Sequence, residues 1–212
     1  MKFDAHTHIL RRNALVDLDP VDHRLPCSAF ARQLDLHAIP LLRPGYSYSV
    51  GIHPWNATRV TPADLRLLRA LAAQPQVKAI GECGLDPLRQ NPDNADLNNA
   101  DLNNTVNITD RASLISLQTD LLHLHFELSE LWCKPLLLHI VRTYPEIIGL
   151  RRKWKPAQPW IIHGFRGKPQ LARQLLADGF YLSFGAKYNP ESYALTPPDR
   201  RLRETDAMPL HQ

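Results

Sequence analysis

The sequence predicts an α/β fold, a (β/α)8 TIM-barrel-like architecture, and three observations predict it. Short continuous apolar runs recur along the chain, as strands covered on both faces read in a parallel sheet. Eight such runs can be counted, and helical patterns separate most of them. Histidines and carboxylates stand at the C-terminal ends of several runs, the end at which barrel active sites form.

The expected strands are 2–5, 14–17, 47–52, 77–81, 135–139, 160–163, 181–184 and 201–205. No long helix is expected between the second and third, because Pro20, Pro26, Pro40 and Pro44 interrupt it, so the early βα units are abbreviated. Thr61, Pro62 and Asp64 then supply an N-cap, a first-turn proline and an early acid, with Leu65, Leu68 and Leu71 on one face. The longest helix is expected over 112–133, where Leu114, Leu117, Leu121, Leu124, Leu128 and Leu131 recur at steps of three and four. A third helix covers 169–178 and stops at Gly179, and a short one follows Asn189-Pro190. Residues 94–104 read NADLN-NADLN-N, a tandem repeat that marks a polar loop insertion over 90–110. Its Asp93, Asp96 and Asp101 lack the glycine and glutamate of a calcium loop.

At 212 residues the chain suits one domain, 1–212, around one core. No apolar run approaches a membrane span and no signal segment opens the chain, so the expectation is a cytoplasmic protein with no membrane contact. Cys27, Cys83 and Cys133 are odd in number and far apart, which argues against a disulfide framework and a zinc ribbon. Residues 139–212 carry 12 Lys/Arg against 6 Asp/Glu, whereas residues 1–138 carry 13 against 15. A basic half suits a polyanionic substrate, and a solvated basic face explains the charge equally well.

The chemistry begins at "KFDAHTHIL". In a strand, residues two apart share a face, so Asp4, His6 and His8 point one way. His53, Glu82, His139, His163 and Asp206 each follow an apolar run at or just past its end. Burying such groups unpaired is costly, and a shared cation removes that cost. Imidazole with carboxylate suits Zn²⁺, Mn²⁺ or Fe²⁺. Four histidines and two carboxylates exceed what one tetrahedral ion takes, so two divalent ions with a bridging carboxylate is the economical reading. Such a pair points to hydrolysis, with phosphodiesters as the leading substrate. "GFRGKP" is not a phosphate-binding P-loop, because the spacing and the Ser/Thr are absent. His123 and His125 in "HLHFE" fall on the long helix and read as surface or flanking residues.

Taken in order, "DAHTH", "GIHPW", "AIGECGLD", "KPLLLHIV", "WIIHGFRGKP", "YLSFGAK" and "ETD" resemble the TatD family of metal-dependent hydrolases, often called TatD DNases, in its compact bacterial branch. The resemblance implies that His6 and His8 hold one divalent ion (Zn, Mg or Mn) beside Asp206, that His139 and His163 hold a second, and that Glu82 bridges them. It implies that Asp206 is the general base, that His53 contacts the substrate phosphate or leaving group, that Arg166 and Lys168 help hold a phosphate, and that Asp4 orients a histidine ligand. Glu82 stands where many barrel amidohydrolases place a modified lysine. The implied substrate is DNA, as single strands or 3′ ends, with no obligate protein partner. A hydrolase of another ester or amide, and an inactive binding protein, are the alternatives. The chain ends six residues after Asp206, so the family's closing C-terminal helix is expected to be missing, through truncation, a frameshift or completion by a partner chain.

Overall fold

The structure, a computed structural model, describes residues 3–21, 42–88 and 110–206. Among these, eight parallel strands form one sheet in sequence order: β1 (Asp4–Thr7), β2 (Ala14–Leu18), β3 (Ser47–Val50), β4 (Val77–Leu85), β5 (Leu136–Ile140), β6 (Trp160–Ile162), β7 (Tyr181–Phe184) and β8 (Arg201–Arg203). The helices are α1 (Pro62–Ala72), α2 (Arg111–Leu131), α3 (Tyr144–Trp154), α4 (Pro169–Ala177) and α5 (Pro190–Leu195), with 3₁₀ turns at Pro54–Arg59 and Pro198–Arg200. This is the expected (β/α)8 architecture. β1 and β2 are joined without a helix; most of the connection from β2 to β3, where no long helix is expected, lies outside the described residues.

Local chemistry sets the elements. Thr61 and Asp64 close a reciprocal capping box at the start of α1, with Pro62 in its first turn. Asp110 accepts the Ser113 N–H at 2.8 Å to start α2. Gly179 follows α4 at φ +84, the left-handed conformation that stops a helix. Between strands and helices lies an apolar core that includes Val50, Ile52, Ile80, Leu85, Leu136, Trp160, Ile162, Leu182 and Phe184.

Three expectations need correction. Strand β4 runs on to Leu85, so Glu82 lies within it rather than past its end. Strand β8 stops at Arg203 instead of 205. Helix α3 was not expected, because its apolar pattern is thin: Ile147 and Ile148 are its buried residues. What specifies it is Pro145 in the first turn, Glu146 near the N-terminus and Arg151, Arg152 and Lys153 near the C-terminus, which complement the helix dipole. The NADLN insertion, Cys27 and the expected absence of a closing helix lie outside the described residues.

The sheet closes through side-chain and terminal backbone contacts. No ladder between β1 and β8 is present among the described residues. Instead Asp4 accepts the Thr205 N–H at 3.0 Å and the Thr205 hydroxyl at 2.7 Å, and the Asp206 N–H donates to the His6 carbonyl at 3.1 Å.

Candidate metal centre

Strand register assembles the centre. Leu138 of β5 pairs with Ile162 of β6, so His139 and His163 follow side by side on neighbouring strands. Gly84 of β4 pairs with His139, and a Cβ at Gly84, whose φ is +146, would overlap the His139 carbonyl oxygen. That close approach draws β4 against β5 and brings Glu82 under the rings.

Glu82 is 3% exposed and stands at the middle of five imidazoles. Its two oxygens face different partners. Oε2 lies 3.3 Å from His6 Nε2 and 3.9 Å from His8 Nε2. Oε1 lies 2.6 Å from His163 Nε2, 2.7 Å from His139 Nδ1 and 3.3 Å from His53 Nε2. Asp206 closes the first set, with Oδ1 3.6 Å from His6 Nε2 and 3.7 Å from His8 Nε2. The expected His6, His8, Glu82, His139, His163 and Asp206 therefore come together, and His53 with them. Arg166 stands apart, exposed, on the wall of a cavity beside Asp206. Lys168 does not line that cavity and instead lines a separate depression with Arg173.

Residues behind the rings fix their orientation. Asp86 Oδ2 lies 3.1 Å from His139 Nε2 and accepts the Trp55 indole N–H at 2.7 Å. Glu204 Oε1 stands 3.6 Å from His163 Nδ1. Asp17 Oδ1 accepts the Glu82 N–H at 2.9 Å, while its Oδ2 faces His8 Nδ1 at 3.7 Å. His53 Nδ1 accepts the Trp55 N–H, which places the ring proton on Nε2, toward Glu82. Asp19 accepts the His53 N–H at 2.8 Å and the Asn56 amide at 2.7 Å, and its burial pushes its carboxyl up to about 7.

The electrostatics ask for positive charge. Burial alone would depress His8, but its hydrogen bond to Asp206 and the charges of Asp17 and Glu82 raise it to about 9. His163 is likewise raised, against its burial, by Glu82 and Glu204. Burial would raise Glu82, but His163, His53 and His6 hold it well below the usual carboxylate range. His53 is the exception: burial dominates and lowers it. Both ring nitrogens of His6 and the Nδ1 of His163 are buried without hydrogen-bond partners. Ligand atoms of His6, His8 and Asp206, and those of His6, Glu82 and His163, lie within 4.8 Å of one another. Unpartnered imidazole nitrogens converging with carboxylates fit divalent cations of the zinc or manganese type.

Several of these partners were not singled out from sequence. Asp17 ends the second expected strand, so the strand-end rule that found Glu82 reaches it too. Asp86 and Glu204 lie inside the quoted "GECGLD" and "ETD" segments. Asp4 does not orient a histidine ring; its carboxylate clamps Thr205 and accepts the His6 backbone N–H at 3.4 Å. His125 is not a surface residue. It is fully buried, accepts the Ile52 N–H at 2.9 Å and sits 2.7 Å from the Leu121 carbonyl, while burial lowers it to about 4. Gln118, one helical stretch earlier, bonds the Pro54 and Asp86 carbonyls, so α2 pins the loops that carry His53 and Asp86.

A parallel barrel that gathers histidines and a buried glutamate at its C-terminal rim has an architecture able to hold divalent ions. The family model described as TatD related DNase matches residues 3–210, and the chain belongs to that family. It is 32% identical over 168 residues to the 3'-5' ssDNA/RNA exonuclease TatD of Cronobacter turicensis, covering 75% of this chain and 56% of that protein. It is 26% identical over 225 residues to the uncharacterized metal-dependent hydrolase YabD of Bacillus subtilis, covering 97% of this chain and 80% of that one. The chain thus spans little more than half the length of the exonuclease it matches. The crystal structure of YJJV, a TatD homolog from Escherichia coli K12, superposes with a TM-score of 0.64 at 20% identity over 91% of this chain and 66% of the other, which shows the shared fold. No helix among the described residues is long and apolar enough to cross a membrane.

Proposed function

We propose that the chain is a single-domain, two-metal phosphodiesterase that cuts single-stranded nucleic acid, DNA above all, from its 3′ end. One observation carries this reading: the two oxygens of Glu82 face two different ligand sets, His6–His8–Asp206 and His139–His163, as a bridging carboxylate requires. The exonuclease name of its relatives supports the substrate. Zn²⁺, Mn²⁺ and Mg²⁺ are the candidate ions, with His6, His8 and Asp206 holding one, His139 and His163 the other, and Glu82 both. Bound there, divalent cations supply Lewis acidity to a phosphoryl oxygen and acidify water.

The side chains do the rest. Asp206 is ionised, because the His8 hydrogen bond and the charges of His163 and His6 outweigh the effect of its burial. With its side chain 36% exposed, it reaches incoming water and accepts the proton as that water attacks phosphorus. His53 presents its Nε2–H above Glu82, where it donates to a phosphoryl or leaving oxygen. Arg166, beside Asp206, holds a non-bridging phosphoryl oxygen.

The test is cleavage of a phosphodiester reporter and of 3′-labelled single strands with each ion, then with EDTA. Metal-dependent release of mononucleotides from the 3′ end is expected. Absence of phosphodiester cleavage with all three ions would refute the reading.

A further inference from the structure

Most arginines of the basic half are occupied within the fold. Arg151 bonds the Asp178 and Gly179 carbonyls, Arg152 pairs with Asp178, and Arg200 and Arg201 lie over Tyr181 and Tyr193 at 4.6 and 4.3 Å. Four cations on one side of the rim differ. Arg166, Lys168, Arg173 and Lys187 are exposed and make no ion pair among the described residues.

These four line two depressions beside the loops joining β6 to α4 and β7 to α5, the inner one also bounded by Glu204, Thr205 and Asp206 and the outer one by the first turns of α4 and α5. The inner one, a cavity of about 180 Å³, is bordered by Arg166, Lys187, Gly185 and Asp206, so it opens directly onto the candidate centre. The outer one, about 560 Å³ and more open, lies between Lys168, Arg173 and Asn189 at the starts of α4 and α5, with Glu191 as its acid.

We infer that a single nucleic-acid strand leaves the metal centre across these two loops. Lys187 joins Arg166 on the phosphate nearest the reacting bond, and Lys168 and Arg173 take phosphates further along the same strand. The inference rests on the proposed nuclease function and adds the direction in which the uncut strand lies. Cations spaced outward from the centre track a phosphate backbone without reading its sequence. Affinity therefore rises with strand length until the outer depression is filled.

The test is fluorescence anisotropy of a labelled phosphorothioate oligothymidylate of about twelve nucleotides, bound to the metal-loaded full chain at several salt concentrations. The variant Lys168→Ser/Arg173→Ser is compared with Arg66→Ser/Arg69→Ser, which removes the same charge from exposed positions on α1. The first is expected to weaken binding about tenfold and to reduce the salt slope by about 1.4, two contacts at roughly 0.7 each on a single strand. The second is expected to leave both close to wild type. Equal effects from the two pairs, or none from the first, would overturn the inference. Binding is read apart from cleavage, so a chain that binds by this path yet cuts no phosphodiester would fail the proposed function alone.

Discussion

On one side of Glu82, His139 and His163 come from adjacent strands 24 residues apart, and a carboxylate stands behind each ring: Asp86 for the first, Glu204 for the second. On the other side, His6 and His8 come from the first strand and Asp206 from just past the last. What joins them is Asp4 gripping Thr205 across 201 residues of chain. His6 has no hydrogen-bond partner on either ring nitrogen, and Asp206 is the most exposed of the proposed ligands. Asp17 stands behind His8 at 3.7 Å as Glu204 stands behind His163 at 3.6 Å, so what distinguishes the first pair is that its members follow neighbouring strands. The second exists only when the whole barrel closes, because contacts this distant in sequence form only once the intervening chain is ordered. The comparison teaches that one centre can couple a locally organised half to a half that reports on global folding.

The largest effect should come from breaking the seam. Asp4→Ala removes the acceptor for Thr205 and for the His6 N–H together. Metal affinity at the His6–His8–Asp206 side should fall about 100-fold, the upper range for losing a supporting group, while the His139–His163 side keeps its ion. Competition titration with a chromophoric chelator separates the two. Equal weakening of both sides would mean that they are not built independently.

A smaller effect is expected on the His139–His163 side. Asp86→Asn and Glu204→Gln keep shape but remove the charge behind each ring, and each should weaken the second ion about tenfold. The same titration reads this. If either change instead empties the His6–His8 side, the division between halves is misplaced.

The alternate spacing of His6 and His8, weak alone, gains weight from His139, His163 and Asp206 at or past strand ends, which are readable because a parallel sheet converges there, whereas Glu82 lies inside β4. The carboxylates behind the rings were harder to see. Asp86 acts on His139 across 53 residues, and nothing local in "GLDP" says so. His125 misled for a physical reason: its helix carries a leucine stripe, yet it lies on the face turned to β4 and the loop after β3, where its ring satisfies the buried Ile52 N–H. Helix α3 was missed because caps and dipole-matched charges, rather than an apolar stripe, mark it.

The smallest effect is a pH signature of the metal-free chain. His8 rises from 6.5 to about 9 on folding, so the folded state holds its proton more tightly than the unfolded one. That stabilisation is complete below about pH 6.5 and is lost as pH rises through 9. Buried His125 has the opposite sign: lowered to about 4, it makes stability fall as pH drops from 6.5 toward 4. Melting temperatures across both windows should decline a few degrees at each edge. His8→Asn should reduce the alkaline decline, the rest coming from His163 and His139, which are also raised, and should leave the acid one. An alkaline decline undiminished by this change would place its origin elsewhere than at the seam.

The central claim, that Glu82 joins two ion-binding halves, is tested most directly by counting ions. Dialysed wild-type protein and Glu82→Gln are equilibrated with Zn²⁺ or Mn²⁺ and the metal-to-protein ratio is measured by mass spectrometry. The account predicts two ions for wild type and fewer than one for the variant, with its circular dichroism retained. Two ions bound to Glu82→Gln with unchanged affinity would contradict it.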